Sequence, residues 1–207
     1  MSTRATRLIA LRTPQGAEDA RSDDELMALA AAGSRESFAV LVRRHFIRVR
    51  GLCIKLVGEV VAGEELAQEV WLDIWEARTE YREEGRFIAF SITLSRNRCN
   101  NWLRAGQRQR RRHLDAQRAS LEVAATVEDA ARTPDAAEVL LKKERERRML
   151  SALARLEPAQ REALVLRFHE DLDYEQIAEL LGARPSTIRS RVFYGIKALR
   201  RLLWRED

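Results

Sequence analysis

The sequence predicts an all-α protein: two helical domains joined by a flexible linker, the second domain containing a helix-turn-helix. Three observations carry that prediction. Apolar residues recur every three or four positions in one segment after another, and β-branched residues never alternate with polar ones as a half-buried strand requires. Glycine and proline number only 9 and 4 in 207 residues, so long helices meet few breakers. Between residues 107 and 135 large apolar side chains become sparse, so that stretch buries little, whereas the chain on either side can build a core.

Residues 1–22 read as a flexible N-terminus. The run Ser22-Asp23-Asp24-Glu25 then opens a helix, because a capping hydroxyl and acids in the first turn suit the positive end of the helix dipole. Gly33 ends it. The next helix places Phe38, Leu41, Val42, Phe46, Val49, Cys53 and Leu56 on one face, and Gly58 interrupts it. A third helix is expected from about Ala62 to Ala77. Residues 78–86 form a loop, and a fourth helix runs from about Phe87 to Arg104. The first domain thus spans 23–106, the linker 107–135, with Pro134 near its end, and the second domain 136–207.

In the second domain Leu140, Leu141, Met149, Leu150, Leu153 and Leu156 mark a first helix, and Glu157-Pro158 opens the next. Asp173 can cap a short helix that Gly182 closes in the left-handed conformation. Pro185-Ser186-Thr187 then starts a longer helix whose Ile188, Val192, Ile196, Leu199 and Leu203 form one apolar stripe. Two helices around a glycine turn make a helix-turn-helix.

Composition excludes several classes. Nothing approaches the ~20 consecutive apolar residues of a membrane span, and the apolar piece near the N-terminus is too short for a signal peptide. The protein is therefore expected to be cytoplasmic and not membrane-inserted. Cys53 and Cys99 are the only cysteines, both at apolar helical positions, so they read as reduced core residues. No zinc spacing, cofactor motif or catalytic grouping is present, which argues against an enzyme.

Charge points toward a polyanion. The net charge is +5, yet Arg96–Arg112 and Arg184–Arg205 each hold seven basic residues and no acid, which leaves the rest of the chain net acidic. Two such stripes suit nucleic acid held at two places. The face of the last long helix opposite its stripe presents Arg189, Ser190, Phe193, Tyr194 and Lys197, preceded by Arg184, Ser186 and Thr187. These side-chain types bond base edges and phosphates in a major groove. On the fourth helix, Arg96, Asn97, Asn100, Asn101 and Arg104 follow Phe87 and Phe90; aromatic rings and amides beside arginines suit unpaired DNA. The third helix differs. Leu66, Ala67, Val70 and Ile74 face a core, whereas Glu65, Gln68, Glu69, Leu72, Trp75 and Glu76 share the other side. An acidic face does not bind DNA, and a Trp and a Leu within it indicate a protein partner.

The segments AGEELAQEVWLDIWEA, FIAFSITLSRNRCNNWLRAGQRQRRR and LARLEPAQREALVLRFHEDLDYEQIAELLGARPSTIRSRVFYGIKALRRLL, with DDELMALAAAGSRESFAVLVRRH before them, resemble the extracytoplasmic-function sigma factors of bacterial RNA polymerase. The resemblance covers about 23–106 and 146–204. It implies that Glu65, Gln68, Glu69, Leu72 and Trp75 dock on the clamp helices of the largest polymerase subunit, and that the flap region is a second contact. It implies −10 recognition and melting by Phe87, Phe90, Arg96, Asn97, Asn101 and Arg104. It implies −35 reading by Arg184, Ser186, Thr187, Arg189, Ser190, Phe193, Tyr194 and Lys197. The 107–135 tether would thread the RNA-exit path, and an anti-sigma factor is a further candidate partner. The chain departs from the family at Phe90-Ser91, where Trp-Leu is usual, at Ser186, where Gly is frequent, and at Tyr194, where a basic residue is common. The competing reading is a helix-turn-helix regulator that binds duplex DNA without polymerase.

Overall fold

The computed structural model describes residues 19–82, 86–116 and 134–204, with side chains over 19–82, 86–106 and 140–204. The described residues form eight α-helices and no strand: α1 Asp23–Ala31, α2 Arg35–Val57, α3 Val60–Glu76, α4 Phe87–Ala116, α5 Pro134–Ala154, α6 Pro158–Phe168, α7 Tyr174–Leu181 and α8 Pro185–Leu203. The chain divides into two compact units, one of residues through Leu56 with Val60–Cys99, the other of Val57–Glu59 with everything from Asn100.

In the first unit the local chemistry sets each boundary. Ser22 Oγ accepts from the Glu25 N–H at 3.2 Å, and the Glu25 carboxylate accepts from the Ser22 N–H at 2.6 Å, a reciprocal cap on α1. Gly33 follows α1 at φ +102° and Gly58 follows α2 at φ +79°, conformations that cost an L side chain strain. Leu26, Met27, Phe38, Leu41, Val49, Leu52, Cys53, Val70, Trp71, Ile74, Ile92 and Cys99 fill the core. Phe46 does not join it; it is 38% exposed at the rim of the α2 stripe, where His45 takes the more central position. Gly63 lets α2 and α3 cross closely, since an added Cβ would stand 2.5 Å from Ile54 Cα.

Three differences from the sequence reading concern helix ends. A short 3-10 turn, Ala77–Thr79, continues α3. Helix α4 runs on to Ala116, into residues expected to be tether, because its Ala, Gln and Arg are good helix formers and no proline intervenes. Helix α5 begins at Pro134, which the first helical turn accommodates because its N–H would lack a partner there anyway. The rest of the expected tether, 117–133, and residues 1–18 lie outside the described residues. Residues 19–22, expected to fray, are held: Arg44 donates to the Asp19 carbonyl, and Arg21 bonds the Asp19 carboxylate.

In the second unit Leu153, Leu156, Ala163, Leu164, Leu166, Ile177, Ala178, Ile188 and Val192 are buried. Leu140, Leu141 and Met149, which mark this helix in the sequence, are exposed, whereas Leu150 is half-buried and Ala152 and Leu153 are buried at the end of α5, which packs on α8. Pro158 starts α6, with Glu157 at the cap position. Asp173 accepts from the Gln176 N–H at 2.7 Å and Gln176 returns the bond at 2.8 Å, so α7 is capped twice. Gly182 closes α7 at φ +59° and allows the sharp entry to α8. Gly195 lies against Leu164, where a Cβ would approach Cδ1 to 3.0 Å, so α8 packs closely on α6. Cys53 and Cys99 are buried and free. No described helix is long and apolar enough to cross a membrane.

Candidate nucleic-acid and protein interfaces

The solvent face of α3 is acidic. Glu65, Gln68, Glu69 and Glu76 are exposed, and Leu72 is half-buried between them. Trp75 differs from its neighbours. Its ring meets Phe38 edge-on at 5.0 Å, and the Arg78 guanidinium lies 4.1 Å over it, so Trp75 is part of the packing as well as of the face. The reading that gave Trp75 no core role is corrected. Trp71 is a core residue, 5% exposed.

Arg98 supports this face from α4. Its Nε donates to Asp73 Oδ2 at 2.8 Å, Nη2 donates to Asp73 Oδ1, and Nη1 stands 3.6 Å from Glu69. A two-pronged bond of this kind fixes orientation as well as charge. The sequence assigned Arg98 to the basic stripe; the fold commits it to α3. Only the neighbourhood of Asp73 one helix away distinguishes the two roles.

On α4 the expected site divides. Phe87 is 2% exposed, its ring 5.1 Å from His45 and 6.3 Å from Tyr81, so it offers no open face to a base. That assignment is corrected: Phe87 packs into the core, against His45 and against Tyr81 of the preceding loop. Phe90 is half-buried, with its ring 5.2 Å from Tyr81. Tyr81 in turn donates to Asp24 at 2.5 Å, which ties the loop to α1; burial and then the Asp24 carboxylate push its phenol well above the ordinary range. Asn97, Asn101 and Arg104 are exposed and Arg96 is half-buried. At 100° per residue Phe90, Asn97, Asn101 and Arg104 fall within one narrow sector, opposite buried Ile92, Ser95 and Cys99. Trp102, 40% exposed, points away from that sector. Ser91 occupies a buried position where the related pattern has Leu, and its hydroxyl is satisfied by the Ile88 carbonyl at 2.8 Å.

The third surface is α8. Arg184, Ser186, Thr187, Arg189, Ser190, Phe193, Tyr194 and Lys197 are all exposed, while Ile188, Val192 and Gly195 are buried beneath them. Phe193 and Tyr194 contact each other at 5.3 Å and remain 64% and 57% exposed. Large exposed rings beside Lys and Arg on a helix that packs through its other face are available to a groove. The Ser190 hydroxyl donates to the Ser186 carbonyl at 3.0 Å. Arg189 is held by α7, through Glu175 and Tyr174, two residues the sequence reading did not select.

Comparison with known proteins gives concordant results. Residues 41–109 match the family described as Sigma-70 region 2, and residues 146–199 match Sigma-70, region 4. RNA polymerase sigma factor CarQ of Myxococcus xanthus is 35% identical over 171 residues, covering 83% of this chain and 91% of that protein. ECF RNA polymerase sigma factor SigK of Mycobacterium sp. (strain KMS) is 33% identical, covering 87% and 90%. Among solved structures, CnrH in complex with the cytosolic domain of CnrY superposes with TM-score 0.60 at 19% identity, over 90% of this chain and 100% of that one. Sigma factor RpoE in complex with the anti-sigma factor NepR from Bartonella quintana gives TM-score 0.56 at 20% identity, over 81% and 98%. The two structural likenesses establish the fold.

Proposed function

Because this chain belongs to the extracytoplasmic-function sigma factors, which direct bacterial RNA polymerase to promoters, we propose that its three chemically distinct faces divide that task. The acidic α3 face with Glu65, Gln68, Glu69, Leu72 and Trp75 docks on polymerase. The α4 face with Phe90, Asn97, Asn101 and Arg104, aided by Arg96, takes the unpaired −10 strand. The α8 face from Arg184 to Lys197 reads the −35 element in duplex DNA. Polymerase forms the phosphodiester bonds, so this chain needs no catalytic group, and it works in the cytoplasm where polymerase meets DNA. The residues of 107–135 join the two DNA-contacting parts. An anti-sigma factor is a partner by the same kinship, since RpoE was captured with one.

The observation that carries this reading is the separation of charge: exposed acids on α3, and a face free of acids on α8. A protein that bound duplex DNA alone would gain nothing from an acidic face with a half-buried Leu and Trp at its centre. Run-off transcription with core polymerase and a promoter library tests it. Transcripts that depend on this chain and start downstream of a common −10/−35 pair are expected. Tight sequence-specific duplex binding without polymerase, and no transcripts with it, would establish a self-sufficient regulator instead.

A further inference from the structure

The two helices of the helix-turn-helix grip one another at the residue expected to read DNA. Arg189 Nη2 donates to Glu175 Oε1 at 2.8 Å, and the same guanidinium lies 5.5 Å over the Tyr174 ring. Both partners stand in the first turn of α7, which the reciprocal Asp173–Gln176 cap fixes. Arg167, from α6, lies over that same Tyr174 ring at 5.7 Å and donates to the Leu172 carbonyl at 3.1 Å, so the ring is itself held in place.

An ion pair this exposed, 57% at Arg189 and 63% at Glu175, adds little to folding stability. Its consequence is geometric. A free arginine samples many rotamers and must be ordered on binding, whereas one gripped by a carboxylate and a ring already has a direction. The bond to Glu175 occupies one of five N–H donors, which leaves others of the planar fork for the O6 and N7 acceptors of a guanine. The charge has an opposite effect on affinity: a carboxylate in a face that meets phosphates repels every DNA sequence alike. A residue that weakens binding generally while aiming one base-reading group is a specificity device.

We propose that Glu175, backed by the Tyr174 ring, is the positioning residue that sets the base preference of Arg189; this rests on Arg189 being a −35 reader. The test is competition binding of the reconstituted holoenzyme to promoters randomised across the −35 element, at fixed salt. Arg189→Ala identifies its base pair as the position where discrimination collapses. Glu175→Ala should lower discrimination at that same position about tenfold, within the 1–3 kcal/mol of a good bidentate base contact. Other positions should not change. Added to Arg189→Ala, the Glu175 change should alter the profile no further. Glu175→Gln should fall between, because an amide oxygen still accepts the bond. Tyr174→Phe should keep the wild-type profile and Tyr174→Leu should relax it. A Glu175→Ala profile with discrimination unchanged at the Arg189 position would overturn the proposal, and if affinity also rose uniformly on all sequences it would show that Glu175 merely repels DNA. If Arg189→Ala itself leaves every position unaltered, the reading of Arg189 has failed, and that result is distinct from a failure of Glu175 to aim it.

Discussion

Phe87 and Phe90 stand three residues apart at the start of one helix, yet one is core and the other half-exposed. Periodicity did not separate them, because the feature that buries Phe87 is not local: Tyr81, tied to Asp24, and His45 both bring their rings against it. The same contact explains why Tyr81 was legible as a loop residue but not as a neighbour of the core. Phe87→Ala should therefore cost about 3–5 kcal/mol, the range for emptying a buried aromatic site, measured by urea unfolding. Phe90→Ala should cost far less and act instead on promoter opening. Equal stability losses would return Phe87 to the surface. Tyr81 gives a pH prediction with a definite sign. Its folded pKa is raised above the ordinary 10.0, first by burial and then by Asp24, so its contribution is intact below pH 10 and fades as pH rises beyond it. Wild-type stability should fall more steeply above pH 10 than that of Tyr81→Phe, which keeps the ring contacts and removes the ionisable hydroxyl.

At the scale of elements, the sequence was most legible where a helix carries its own signals. The caps at Ser22 and Asp173 and the glycine ends at Gly33, Gly58 and Gly182 stand where the residue types require them. It was least legible where helices meet. The exposure of Leu140, Leu141 and Met149 depends on how far along α5 the packing reaches, which no pattern within α5 encodes. Arg98 is a second case: its residue type and its place in a run of arginines matched DNA contact, while Asp73 on α3 claims it. This distinction is measurable through salt. Each phosphate contact adds about 0.9 to the slope of log affinity against log salt for duplex DNA and about 0.7 for single strands. Arg104→Ala should lower that slope by nearly one contact's worth in holoenzyme–promoter binding. Arg98→Ala should leave the slope unchanged but weaken binding to core polymerase, because Glu69 and Asp73 lose the group that holds them. A reduced slope for Arg98→Ala would assign it to DNA after all.

At the scale of the whole molecule, an acidic α3 face repels the DNA that basic faces attract unless a partner neutralises it. In the proposed division of the task, polymerase docked on α3 would remove that repulsion and leave α4 and α8 to meet DNA in different states, melted and duplex. Strand opening is where these states part. With Phe87 in the core, Asn97 and Asn101 are two amides of α4 able to bond an unpaired base, exposed on the same side as Phe90 and Arg104. Arginines supply attraction to phosphates whether or not the strands have separated; amides discriminate only once a base edge is free. Asn97→Ala and Asn101→Ala should therefore leave closed-complex formation nearly intact and slow opening. Unstacking and unpairing a base costs a few kcal/mol, which capture of the flipped base must offset. A promoter with a pre-melted −10 segment has already met that cost, so it should restore both variants to the wild-type rate. Permanganate reactivity of −10 thymines, followed in time on duplex and on pre-melted promoters, measures this directly. Wild-type opening of the duplex promoter by both variants would make the amides bystanders and move base capture to Phe90 and its support on Tyr81.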